Sequence, residues 1–322
     1  MSELALRLIA QNKKTKNKYL DLGRCGLREI PHELFDCLWL EELLLSNRWW
    51  DWEKKEWIYS KNNGRENILS HIPSGMKGLT RLKKLTIVGD YRRQWEIANF
   101  ENLPDNIQSL DISRNNISDA RFLGKLTGLT SLRIGGNKIS DASFLEKLTG
   151  LTSLDISDNY ISDASFLGKF TGLTLLYIRD NYISDSSFLG KLTGLTSLDI
   201  HDNYIFDASF LEKLTGLTEI DLTNNRLADL APLLPLIRER NLKVVWRKGF
   251  FTGPGEINLK GNPWKNPPPE TVEKGNAAIF EYFRQKEKSG EKLLLEAKLI
   301  LLGDGRAGKT SLANRLLKKP LP

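Results

Sequence analysis

The amino-acid sequence predicts an α/β solenoid: a parallel β sheet on a concave face, short helical or 3₁₀ pieces on the convex side, a helical N-terminal cap and a C-terminal helical linker. Three observations carry this. One pattern recurs every 22 residues from Ile107 to Leu236, placing Asn115, Asn137, Asn159, Asn181, Asn203 and Asn225 in register. Apolar residues stand five and three positions before each Asn, as Leu154 and Ile156 do before Asn159, so L-x-I reads as a short strand with both apolar side chains inward. The S-D-x-x-F-L-x-K-L-T-G return is too short for a long helix, which leaves a single helical or 3₁₀ turn.

The unit L-x-x-L-x-I-x-x-N-x-I resembles the short 22-residue class of leucine-rich repeat. Residues 1–19 read as the cap, where Leu4, Leu6, Leu8 and Ile9 of an amphipathic helix cover the open edge of the first repeat. Residues 20–264 hold about ten repeats. The first uses Leu20, Leu22 and Leu27, with Cys25 as a small buried hydrophobe where later repeats have Asn. The second begins with Leu40, Leu43 and Leu45 and is broken by an insertion at 46–67 that carries Trp49, Trp50, Trp52 and Trp57. Such a loop either packs its tryptophans on the solenoid flank or serves as a recognition element. The third strand, LKKLTIVGD, has Asp90 in place of the ladder Asn.

In the regular repeats each Asn amide is expected to bond backbone groups of its own and the neighbouring turn, which burial would otherwise orphan. Asp119, Asp141, Asp163, Asp185, Asp207 and Asp229 suit the N-caps of the convex turns, and Phe122, Phe144, Phe166, Phe188 and Phe210 plug the core. The Lys125 to Lys213 file reads as solvated surface. Beyond Leu236, residues 242–246 form a plausible strand, and Ile257, Leu259 and Asn262 close the array with one more variant repeat. Pro267, Pro268 and Pro269 then stop it, and residues 265–296 form a linker whose helix places Ala278, Ile279, Tyr282 and Phe283 on one face.

Composition narrows the function classes. No apolar run approaches the length of a membrane span, the first residues lack a secretory signal pattern, and two cysteines cannot staple a scaffold. These features favour the cytoplasm. The net charge of +7 does not follow the solenoid: residues 107–236 hold 11 Lys and Arg against 16 Asp and Glu, a net of −5. The basic excess lies in residues 1–18 and 281–322, with no aromatic-laced basic stripe, which argues against nucleic acid. On the concave strands the polar positions are Asp111, Arg114, Arg133, Asp155, Asp158, Tyr177, Arg179, Asp180, Asp199, His201, Asp202 and Asp221. Tyr160, Tyr182 and Tyr204 form a file beside them. The expectation is an exposed acidic strip edged with tyrosine that docks a basic protein surface, or a face kept polar for solubility.

The last stretch carries a chemical motif. Gly303, Asp304, Gly305, Arg306, Ala307, Gly308, Lys309 and Thr310 fit G-x-x-x-x-G-K-[ST], followed by Ser311, between an apolar strand at 299–302 and a helix at 311–318. Backbone N–H groups would cradle phosphate, Lys309 would reach the β/γ-phosphates, and Thr310 would ligate Mg²⁺. Repeats, then a G-N-P…Y-F linker, then E-A-K-L-I-L-L-G-D-G-x-A-G-K-T-S-L: this order resembles the Roco family, its bacterial members above all. The resemblance implies a regulatory repeat module ahead of a Ras-like GTPase domain (Roc) and a dimerising domain (COR). GTP or GDP with Mg²⁺ would be the parent's cofactors, and its partner either another protein or its own Roc–COR domains. Residues 297–322 would be the first strand, P-loop and helix start of a truncated Roc domain. Only 13 residues follow Lys309, too few for the switch Thr, D-x-x-G and N-K-x-D segments, so this chain itself is expected to bind nucleotide poorly. The competing readings are a GTPase activity in the chain itself and an internalin-like adhesin.

Overall fold

A computed structural model describes residues 2–51, 54, 56–90, 96–247 and 252–289. The P-loop residues Gly303 to Ser311 and Trp52 therefore lie outside the described residues. The chain divides into two units, residues 1–280 and 281–322. In the second, the described residues continue a helix in which Arg284 pairs with Glu281 at 2.6 Å.

The first unit is the expected solenoid. Its eleven-stranded sheet is parallel throughout, built of three-residue strands. They are β1 (Tyr19–Asp21), β2 (Glu42–Leu44), β5 (Lys84–Thr86), β6 (Ser109–Asp111), β7 (Ser131–Arg133), β8 (Ser153–Asp155), β9 (Leu175–Tyr177), β10 (Ser197–Asp199), β11 (Glu219–Asp221), β12 (Lys243–Val245) and β13 (Glu256–Asn258). The insertion adds a separate hairpin, β3 (Arg48–Asp51) and β4 (Glu56–Tyr59). Register follows the 22-residue period: Leu132 pairs with Leu154 and Leu154 with Leu176. Their side chains are fully buried, as are Ile134, Ile156 and Ile178.

The Asn ladder binds each turn to the one before it. Asn159 Nδ2 donates to the carbonyls of Ile156 and Ser157 in its own turn and of Ile134 in the preceding repeat, while its Oδ1 accepts from Ile139 N–H at 3.0 Å. Asn67, counted with the insertion by sequence, performs this role for the second repeat. Its Oδ1 accepts from Cys25 and Leu27, and its Nδ2 donates to Leu22 and Leu45. The insertion thus interrupts a repeat between strand and ladder residue. Cys25 is buried, and burial pushes its thiol up to about 12. A second ladder went unread in the sequence: the second Thr hydroxyl of each T-G-L-T donates to the equivalent carbonyl one repeat back, as Thr152 does to Thr130 at 3.1 Å.

The convex turns are 3₁₀, such as Ser165–Lys169. Asp163 precedes the cap residue, and its carboxylate accepts from Ser165 N–H at 2.9 Å. Leu123, Leu145, Leu167, Leu189 and Leu211 are the core plugs. Of the Phe file beside them, Phe166, Phe188 and Phe210 are buried as expected, while Phe122 and Phe144 are half-buried.

Both ends are closed. At the N-terminus α1 (Glu3–Thr15) buries Ala5, Ile9 and Asn12, with Leu4, Leu6 and Leu8 only half-buried. The C-terminal order departs from sequence order: β13 lies between β11 and β12. Ile257, Leu259 and Asn262 therefore do not end the array. They continue the ladder from Asn225, for Asn262 Oδ1 accepts from Leu227 and Nδ2 donates to Leu222. β12 is the outer strand, following α2 (Leu234–Glu239). The linker forms two helices rather than one arm. A break at Gly275, whose φ of +82° suits glycine, separates α3 (Pro269–Val272) from α4 (Asn276–Ser289). Asn276 then accepts from Val244 N–H and donates to Leu242 C=O, occupying backbone groups beside the sheet edge.

Candidate binding surface on the concave face

Successive L-x-I strands turn their middle residue, and the residue two further on, toward the concave side. These rows are Asp111, Arg133, Asp155, Tyr177, Asp199 and Asp221, and then Ser113, Gly135, Ser157, Arg179, His201 and Thr223. Asp155, Tyr177, Asp199 and His201, expected as exposed docking residues, are buried, and so are Asp111 and Asp221. Each of these Asp carboxylates accepts the N–H two residues on, as Asp155 does from Ser157 at 3.0 Å, and so pins its strand end. Burial pushes the Asp111, Asp155 and Asp221 carboxyls up, with the charge of Asp199 adding to it at Asp221, against the pull of Arg133, Arg179 and His201 respectively. The row is a charge-compensated wall.

His201 is the densest node. Its side chain is 3% exposed, and its Nδ1 lies 2.6 Å from Asp199 Oδ1. Its Nε2 lies 3.6 Å from both Asp180 Oδ2 and Asp202 Oδ2. Burial alone would lower its pKa, but the hydrogen bond and charge of Asp199, with Asp221 behind, leave it raised. Burial first, then Asp158, push Asp180 up to about 6. The donor atoms of Asp180, His201 and Asp202 lie within 4.8 Å of one another, as do those of Asp199, His201 and Asp221, a spacing that a divalent ion could use. A protonated His201 would answer the same carboxylates without an ion.

Both shifts give stability one pH slope. The Asp180 contribution is complete below the unfolded Asp value of about 3.9 and is lost as pH rises through about 6. The His201 contribution is complete below about 6.5 and is lost as pH rises through its higher folded value. The expected result is a higher melting temperature at pH 5.5 than at pH 8.5, with the difference reduced by His201→Gln. A higher melting temperature at pH 8.5 would contradict this electrostatic account.

The exposed acid lies one position further along. Asp158 is exposed and Asp180 and Asp202 are half-buried, in a column of left-handed residues with φ of +53°, +50° and +50°. Arg179 reaches Asp158 at 3.4 Å. Beside the acids stand Tyr160, Tyr182 and Tyr204, stacked with centroids 6.1 Å apart.

The tryptophan insertion lies over the concave face, not on the flank. Trp49 pairs with Ile58 and Trp50 with Trp57 across β3–β4, and Trp50 meets Trp57 edge-on at 5.6 Å. Ser60 holds the hairpin base by donating to Asp21 and Gly23, and Asn62 donates to the same two residues' carbonyls. Beneath Trp50 and Trp57 a cleft of about 570 Å³ is lined by Arg114, Arg133, Gly135, Gly136 and Arg179. The glycine pair makes room: a Cβ on Gly136 would meet Arg114 Cγ at 2.8 Å, and Arg114 lies 4.8 Å under the Trp57 ring. Sequence reading found the tryptophans and the tyrosine file but missed Gly135–Gly136, whose signal was the one repeat lacking both side chains at those positions.

Comparisons with known proteins agree with this architecture. Residues 105–147 and 127–169 match the family of Leucine Rich repeats (2 copies). No curated protein matches. Among solved structures, an internalin (inlF) from Listeria monocytogenes is 27% identical over 71% of this chain and 61% of its own, with a TM-score of 0.58. This chain thus spans less than two thirds of that protein. A second Listeria internalin (inlC2) is 21% identical over 73% of this chain and 89% of its own, at 0.49. The Arabidopsis receptor kinase HAESA, in complex with a peptide hormone and a co-receptor, is 20% identical over 70% of this chain and 40% of its own, at 0.52. The fold is a leucine-rich-repeat solenoid. No described helix is long and apolar enough to cross a membrane.

Proposed function

We propose that this chain is a protein-recognition module whose concave face docks a partner beneath and beside the tryptophan hairpin. The carrying observation is the hairpin itself: two half-buried tryptophans overhang a groove of arginine, aspartate and glycine that the repeat scaffold does not require. On the Roco resemblance of the linker and P-loop, the parent is a cytoplasmic GTPase, dimeric through COR, that takes GTP or GDP with Mg²⁺ at Gly303–Ser311. The partner is then its own Roc–COR segment or a protein recruited beside it.

The test is binding of this chain to the separately expressed Roc–COR segment, at low and high salt. Attraction to Asp158, Asp180 and Asp202 should weaken as the Debye length shrinks from about 10 Å at 0.1 M to about 3 Å at 1 M. Trp50→Ser with Trp57→Ser should abolish capture while leaving the solenoid melt intact, because neither side chain belongs to the repeat core. Capture that survives both changes undiminished would defeat this reading. A second reading rests on the 27% identity to an internalin: a surface adhesin that docks a host or neighbour-cell protein through the same groove. Fractionation of the native protein separates the two.

A further inference from the structure

The tyrosine file and the acidic file coincide, and the fold asks for neither. The position after the ladder Asn is filled in successive repeats by Asn116, Lys138, Tyr160, Tyr182, Tyr204 and Arg226. Its backbone N–H bonds the preceding repeat whichever side chain is present, as Lys138 does to Ile117 and Tyr160 to Ile139. The rings are 49%, 48% and 39% exposed, so they add little to the core. The position before the ladder Asn runs Arg114, Gly136, Asp158, Asp180, Asp202 and Asn224. Acid occurs there only in the three repeats that carry tyrosine. Together the two files line a groove of about 440 Å³.

Two further observations name the occupant. Arg226 already lies 4.4 Å above the Tyr204 ring, so this file accepts a guanidinium. The carboxylates of Asp158, Asp180 and Asp202 are partly answered by Arg179 and His201 of the concave strands and by Asn224, yet Asp158 and Asp202 still crowd Asp180. The rungs repeat every 6.1 Å, and alternate side chains of an extended strand stand about 6.6 Å apart.

We propose that the three Tyr–Asp rungs bind an extended basic segment of a partner protein, lying along the solenoid with arginines at alternate positions. Each guanidinium rests against one tyrosine and donates to the aspartate of the same rung. Arginine fits better than lysine because its planar fork stacks on a ring and bonds a carboxylate together. The inference builds on the docking function proposed above and assigns the partner's contacting segment.

The test uses the full chain and fluorescein-labelled nonapeptides in anisotropy titrations: one with three arginines at alternate positions, one with the same residues and the arginines contiguous. The alternate peptide should bind about tenfold tighter. Tyr182→Ala should remove that preference, Tyr182→Phe should keep it, and Asp180→Asn should weaken binding, with far-UV circular dichroism unchanged in each variant and melting unchanged in the two Tyr182 variants. Equal affinity for both peptides, or indifference to Tyr182→Ala, overturns the proposal. If the Tyr182→Ala chain still captures the whole partner while neither peptide binds, the rung assignment falls and the docking function stands.

Discussion

Phe170→Ala should be the most damaging single truncation in the array, at about 3–5 kcal/mol. Phe170 is fully buried and heads the largest such side chains. It stands where neighbouring repeats place Leu126, Leu148, Leu192 and Leu214, each also fully buried. Removing the ring leaves a cavity between stacked turns that cannot collapse, because the Asn and Thr ladders fix the repeat spacing on either side. Phe170→Leu restores the side chain that the same position holds elsewhere and should cost less than about 1.5 kcal/mol. Urea unfolding of both variants checks this. An alanine variant within about 1 kcal/mol of wild type would mean that the stack relaxes freely, contrary to close packing.

Asn159→Ala should lower stability by about 3 kcal/mol, the upper end of what orphaned buried groups cost. One side chain satisfies three carbonyls and the Ile139 N–H, across two repeats. Asn159→Leu should do no better, since it restores volume but no polar partner. Hydrogen exchange adds a local signature: the Ile139 amide should lose protection before amides several repeats away. Unchanged exchange at Ile139, with a melt within a few tenths of a kcal/mol of wild type, would show that the amide is dispensable.

What the sequence by itself determined is everything that repeats. Leu154, Ile156 and Asn159 meet the same neighbours as their counterparts 22 residues away, so a local pattern specifies strand, inward face and ladder, and register follows from the period. The same logic located the insertion and marked its tryptophans and the tyrosine file as foreign to the core. What tertiary structure alone decided are the features that depend on unlike residues brought together. β13 enters the sheet ahead of β12 because Asn262 completes the hydrogen bonds left open beside Asn225, a match between segments 37 residues apart. The hairpin's place over the concave face rests on Ser60 and Asn62 bonding Asp21 and Gly23 in the first repeat. The strand aspartates read as exposed because alternation puts them on the outer face. They are buried because stacking sets each against the strand-end N–H and the arginine or histidine of its neighbours. Charge compensation between repeats arises only once the strands are stacked, and it leaves Asp158 exposed and Asp180 and Asp202 half-buried.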